Sequence, residues 1–170
     1  MSTRGYMGIQ KKGELKGQYN HHDSYIEGLG KDIIKTLNSI PKEDLISKLN
    51  EVYDNIILVN ENDKPTQEMI DYAVENGLYD SNVSNGNTDD MYCLLRNAQG
   101  RLDLYLKGLK YMLNGNNFLK NDIFCEYGYV INLDENTLDI YTYGKLNYQA
   151  DLFDLNYKKI EREFRDWLCN

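Results

Sequence analysis

Residues 4–10, RGYMGIQ, read as a strand, and LKGQYNHH at 15–22 returns as a second one after a turn at Gly13. Residues 3–22 are therefore expected to form a β-hairpin. The spacing then changes. Leu29, Ile33, Ile34 and Leu37 fall on one face of a helix. Ser39 and Pro41 mark the start of a second helix, in which Leu45, Ile46, Leu49, Val52 and Tyr53 keep the helical period. Pro65 opens a third, PTQEMIDYAVENG, which Asn76 and Gly77 end. The stretch LYDSNVSNGNTDD, rich in Ser, Asn, Asp and Gly, reads as loop. Thr88 or Asp89 would cap a fourth helix, DDMYCLLRNAQG, closed by Gly100. Residues 101–115 are ambiguous: Leu102, Tyr105, Leu106, Leu109, Met112 and Leu113 have a helical period that Gly108 weakens.

The period becomes two again in DIFCEYGYVINLDENTLDIYTYG, the clearest hairpin of the chain, turning around Asp134, Glu135 and Asn136. The end, NYKKIEREFRDWLC, is a helix with Ile160, Phe164, Trp167 and Leu168 on its buried side. No repeat of fixed period occurs. The fold class these elements predict is α+β: an antiparallel sheet from the N- and C-terminal hairpins, with a helical middle and the C-terminal helix packed on one face. Residues 1–170 suit a single domain, since the only prolines are Pro41 and Pro65 and no linker composition divides them.

Composition sharpens this picture in three ways. The longest aliphatic run is Ile56, Ile57, Leu58 and Val59, far short of a bilayer span, and residues 1–17 lack the apolar stretch of a signal peptide. Three widely spaced cysteines, Cys93, Cys125 and Cys169, suit reduced thiols in a cytoplasmic setting rather than a disulfide framework. The net charge of −8 is uneven: between residues 61 and 90 eight acids face one base, Lys64, whereas residues 1–40 carry six bases and four acids. Such a chain gains nothing from a phosphate backbone, so direct nucleic-acid binding is disfavoured. The acidic zone, with Asp71, Glu75, Asp80, Asp89 and Asp90, is either a solvated face or a surface for a basic protein partner.

The candidate chemistry is concentrated at YNHHDSYIEGLG, residues 19–30, which holds both histidines of the chain. Alternation along a strand puts His21 and Asp23 on one side and His22 on the other, so the three do not converge on one metal, and no cofactor motif appears. His21 oriented by Asp23 could act as a general base. Otherwise the segment is a strand-to-helix corner, with Asp23 or Ser24 capping the helix. If it holds a pocket, Arg4, Tyr19, His21, Asp23 and Tyr25 line it. Gly28 and Gly30 admit an anion or, more simply, satisfy tight backbone geometry. Ser2, exposed by removal of Met1, is an N-terminal nucleophile only if a second feature supports it, and none does. Among the fifteen tyrosines, Tyr127, Tyr129, Tyr141 and Tyr143 form pairs at spacing two in the second hairpin, as core if helices cover that face and as a binding surface if they do not.

Four blocks in order, STRGYMGI, YNHHDSYIEGLG, YCLLRNAQG and FCEYGYVINLDENTLDIY, resemble a small protein family common in phages and prophages. Its first block begins with a Thr-Arg pair and its second reads approximately Tyr-x-His-Trp-Asp-Gly-Tyr-Pro followed by glycines. Thr3, Arg4, Tyr19, His21, Asp23, Tyr25, Gly28 and Gly30 match, while His22, Ser24 and Ile26 stand where Trp, Gly and Pro are usual. The family has no settled activity, so the resemblance implies a context: a phage-borne accessory protein in the host cytoplasm. That context implies stoichiometric binding to a host protein, such as a nucleic-acid-handling defence effector, and inhibition of anti-CRISPR type. The alternatives are a small enzyme or ligand-binding protein with a nucleotide or amide pocket at the corner, and an interaction protein that dimerises through its sheet.

Overall fold

The computed structural model describes residues 3–78 and 90–168. Strands β1 (Gly5–Lys11) and β2 (Glu14–Asn20) form the expected hairpin. Lys12 and Gly13 both take positive φ, 53° and 73°, as a two-residue turn matching the twist of its strands requires. The tip is held by Asp134, whose carboxylate accepts the Lys12 and Gly13 N–H groups at 2.6 and 2.9 Å.

Two short strands follow, β3 (Ile57–Val59) and β4 (Tyr111–Leu113), and then β5 (Tyr127–Asn132), β6 (Thr137–Thr142) and β7 (Lys145–Asp151). Five strands make one sheet in the order β2-β1-β5-β6-β7, while β3 and β4 pair in parallel as a separate ribbon. The class is α+β, and the main sheet does come from the two ends of the chain. It is mixed rather than wholly antiparallel, because the two hairpins meet through β1 and β5, which run in the same direction with Gly5 opposite Tyr127 and Ile9 opposite Ile131. A parallel pair needs a long crossover, and the helical middle supplies it. Strand β7, absent from the expected elements, is an edge strand; most of its residues are exposed or half-buried, so little hydrophobic patterning was required of it.

The helices are α1 (Lys31–Asn38), α2 (Leu45–Asn55), α3 (Gln67–Glu75), α4 (Met91–Leu94), α5 (Leu102–Leu106) and α6 (Tyr157–Leu168). Ile33, Ile34 and Leu37 from α1, Leu49 from α2 and Phe164 from α6 bury against Met7, Ile9, Tyr129, Ile131, Leu138 and Ile140 of the sheet. The other face carries a smaller cluster in which Tyr6 and Val130 pack against Leu119 and Cys125. That face is partly covered by the 3-10 turn Asn116–Lys120.

Several expected boundaries shift. Helix α2 starts at Leu45, and Pro41 belongs to a preceding turn whose carbonyl accepts the Asp44 N–H at 2.9 Å. Helix α3 starts at Gln67 rather than Pro65, capped by the Thr66 hydroxyl on the Met69 N–H, and its last residue is Glu75, so Asn76 and Gly77, at φ +66°, end it as expected. Asp90 caps α4 through the Cys93 N–H at 2.7 Å; Thr88 and Asp89 lie outside the described residues. The ambiguous residues 101–115 resolve into α5, a break at Gly108 with φ +111°, and β4. Trp167 is 44% exposed, against expectation, with its ring stacked on the buried Phe164 at 6.1 Å. Among the described residues no helix is long and apolar enough to cross a membrane.

Candidate functional site

The corner after β2 is built by hydrogen bonds, though not by the caps expected. Asn20 Nδ2 donates to the His22 carbonyl and to Ser24 Oγ, and the Ser24 carbonyl accepts the buried Tyr129 hydroxyl at 2.9 Å. Asp23 takes φ +48°, and its carbonyl accepts the Leu29 N–H at 2.8 Å. A side chain at position 28 would place its Cβ 2.1 Å from that carbonyl, so Gly28 is required by close backbone approach. Neither Asp23 nor Ser24 caps α1 through its side chain. Gly30 likewise sits tight against Ile26 and Tyr129, which makes the glycine pair packing rather than an anion cradle.

The sequence-level pocket residues divide among three adjoining hollows. Arg4 and Tyr19 line a cleft of about 750 Å³. His21 lines a second hollow of about 310 Å³ with Asn20, His22, Arg96, Asn97, Gln99 and Arg101. Asp23 and Tyr25 line a third, of about 210 Å³, with Asp32, Leu29 and Arg101. Gln99 borders all three.

The large cleft is aromatic and amidic. Tyr19 meets Phe118 edge-to-face at 4.8 Å, Arg4 lies over the Phe124 ring at 5.2 Å, and Arg96 lies over Tyr92 at 5.6 Å. Phe124 is 49% exposed at the rim of the cleft. Its position is fixed, because Asn121 Oδ1 accepts both the Ile123 and Phe124 N–H groups at 3.0 and 2.8 Å. Asn60, Asn62, Gln99, Asn114 and Asn117 add carboxamides, and Glu61 a carboxylate. Gln18 seats the segment behind the cleft, donating to the Ala98 carbonyl at 3.0 Å.

His21 is oriented by tyrosine: the Tyr19 hydroxyl lies 2.7 Å from Nδ1. Desolvation, then the charges of Arg96, His22 and Arg4, hold its pKa below the ordinary 6.5, so the ring is neutral at pH 7. His21 and Asp23 border different hollows, so the geometry does not set them up as a base and its orienting acid. The two described thiols are held protonated, Cys125 pushed up to about 12 chiefly by burial and Cys93 raised by burial and by Asp90. Among the described residues no three His, Cys, Asp or Glu side chains gather to hold a metal.

The other sequence-level surface breaks up. Tyr129 is fully buried in the main core and takes no part in a surface, and Tyr127 is half-buried beside Phe164. Tyr141 packs on the opposite face of the sheet and Tyr143 is exposed in the turn before β7. The four tyrosines therefore do not form one stripe. Asp71 and Glu75 are exposed on α3, Asp90 is half-buried as a cap, and Asp80 and Ser2 lie outside the described residues. Tyr92, Arg96, Gln99, Phe118 and Phe124 were missed from the sequence; the density of asparagine in NGNNFLKN was the one available signal. No family model, no curated protein and no solved structure matches the chain.

Proposed function

We propose that the protein binds a nucleotide in the aromatic cleft and acts by holding it rather than transforming it. The observation that carries this reading is the convergence of Tyr19, Tyr92, Phe118 and Phe124 with Arg4 and a ring of carboxamides around one cleft of about 750 Å³. Aromatic rings offer a base its stacking surface, carboxamides match the donors and acceptors of its edge, and Arg4 offers charge to a phosphate. The volume lies in the range of small-ligand sites, which is roughly 300–1,000 Å³. Binding without chemistry suits the two described thiols, both of which are held protonated. Placed in the phage context that the four sequence blocks suggest, such a protein withdraws a nucleotide from a host defence pathway.

A second reading, stoichiometric inhibition of a host protein of anti-CRISPR type, draws on the exposed acids Glu68, Asp71 and Glu75 of α3. Calorimetric titration of the purified protein with adenosine, guanosine, cytidine and uridine nucleotides tests the first reading. One-to-one binding that Phe124→Ala and Arg4→Ala each weaken about tenfold or more supports it. A folded protein that binds none of them, yet captures a host protein in a complex that Asp71→Lys and Glu75→Lys dissolve, supports the second.

A further inference from the structure

The aromatic cleft does not end at Gln99. Beyond it lies the hollow bordered by His21, His22, Arg96 and Arg101, which has no carboxylate among its described lining residues in a chain of net charge −8. Arg96 joins the two spaces: its guanidinium lies over Tyr92 of the cleft, and its Nη1 donates to Gln99 Oε1 at 2.7 Å. Arg101 enters already paired with Asp103, by two bonds of 2.8 Å, so Arg96 supplies the local positive charge, and the His21 and His22 rings border it. Past His22 and Arg101 comes the third hollow, where the character reverses. It presents the carboxylates of Asp23 and Asp32 together with the Tyr25 ring and Leu29.

The order along the surface is thus aromatic with one carboxylate, then cationic, then aromatic with two carboxylates. Carboxylates suit sugar hydroxyls, which donate hydrogen bonds, and repel phosphate; cations do the opposite. We infer that the ligand is a dinucleotide, with one nucleoside in the large cleft, its phosphate linkage over His21, His22 and Arg96, and its second nucleoside in the hollow of Tyr25, Asp23 and Asp32. This inference rests on the nucleotide reading of the large cleft and specifies how far the ligand extends.

Calorimetric titration with adenosine monophosphate, NAD⁺, the linear dinucleotide pApA and cyclic di-adenosine monophosphate distinguishes the possibilities. The expected result is that at least one of the three two-nucleoside ligands binds about tenfold or more tightly than the mononucleotide. Asp32→Asn, an exposed position on α1, and Tyr25→Ala then remove that advantage while leaving the mononucleotide affinity unchanged. If Tyr25→Ala fails to fold, Asp32→Asn alone carries the test. Mononucleotide binding that no dinucleotide exceeds would overturn the extended site and leave the nucleotide cleft standing. A folded protein that binds neither class would overturn both.

Discussion

The Tyr19 hydroxyl and the His21 ring meet at 2.7 Å, two residues apart where β2 runs out. The imidazole is neutral at pH 7. Burial holds its pKa down first, and the charges of Arg96, His22 and Arg4 add to that. A phosphate placed beside it offsets those charges and raises the pKa in the complex. Binding therefore takes up a proton, and affinity rises as pH falls through the bound-state pKa and levels off below the lower free-state one. Titrations in buffers of different ionisation enthalpy should register this uptake, and His21→Gln should flatten the pH profile. Equal affinity at pH 5.5 and 8 in the native protein would refute the role.

Asn116 joins the loop under the cleft to the first hairpin. Its Oδ1 accepts the Gly17 N–H at 2.9 Å and the Tyr6 hydroxyl at 3.1 Å, and its Nδ2 donates to the Leu15 carbonyl at 2.6 Å. Asn116→Ala leaves all three partners short of a bond, Tyr6 being fully buried. The expected loss is about 2–4 kcal/mol, from a penalty of roughly 1–3 kcal/mol for each buried group left unsatisfied. Urea denaturation at neutral pH measures it; a loss under about 1 kcal/mol would mean that water replaces the side chain.

Both hairpins were legible because each is a local object: alternating residues around a tight turn, with Lys12 and Gly13 at one tip and Asn136 at φ +57° in the other. The pairing between them was not, since β1 and β5 meet only after the helical middle has folded, and no residue of either strand encodes the partner. The site divided in the same way. Arg4, Tyr19 and His21 were visible because they lie on or beside one hairpin. Tyr92, Phe118 and Phe124 come from the one-turn helix α4, a 3-10 turn and a loop, segments too short for periodicity to carry information, and only tertiary packing brings them to the cleft. Tyr129 realises one of the two alternatives left open by its spacing: helices cover its face of the sheet, so it is core.

Arg165 on α6 pairs with Glu27 of the corner turn and, at 2.7 Å, with Glu161 on its own helix. Its side chain is 57% exposed and that of Glu27 38%, so water and salt screen both contacts. Arg165→Ala should cost little, as loss of a solvent-screened surface ion pair does. By contrast Phe164, its fully buried neighbour, should cost about 3–5 kcal/mol as Phe164→Ala. Denaturant midpoints of the two variants check the contrast, and a larger loss from Arg165→Ala would mean that the pair positions the corner.

Gly115 tests whether the cleft depends on how closely the loop approaches β2. Its N–H donates to the Gly17 carbonyl at 2.8 Å, and a Cβ there would stand 2.5 Å from the Tyr19 nitrogen and 2.9 Å from the Gln18 backbone. Backbone cannot swing aside as a side chain can, so Gly115→Ala must push the loop that carries Asn114, Asn117 and Phe118 away from Tyr19. The cost to stability should be about 1–3 kcal/mol, as for other overpacked sites. Ligand affinity should fall as well, because the Tyr19–Phe118 contact opens. Gly77→Ala is the control: its φ of +66° strains an alanine by about 1 kcal/mol, but open space surrounds it and it does not border the cleft. Comparable stability loss in the two variants with affinity lost only in Gly115→Ala identifies the close approach as what shapes the cleft. Affinity retained in both would show that the ligand rests on other walls.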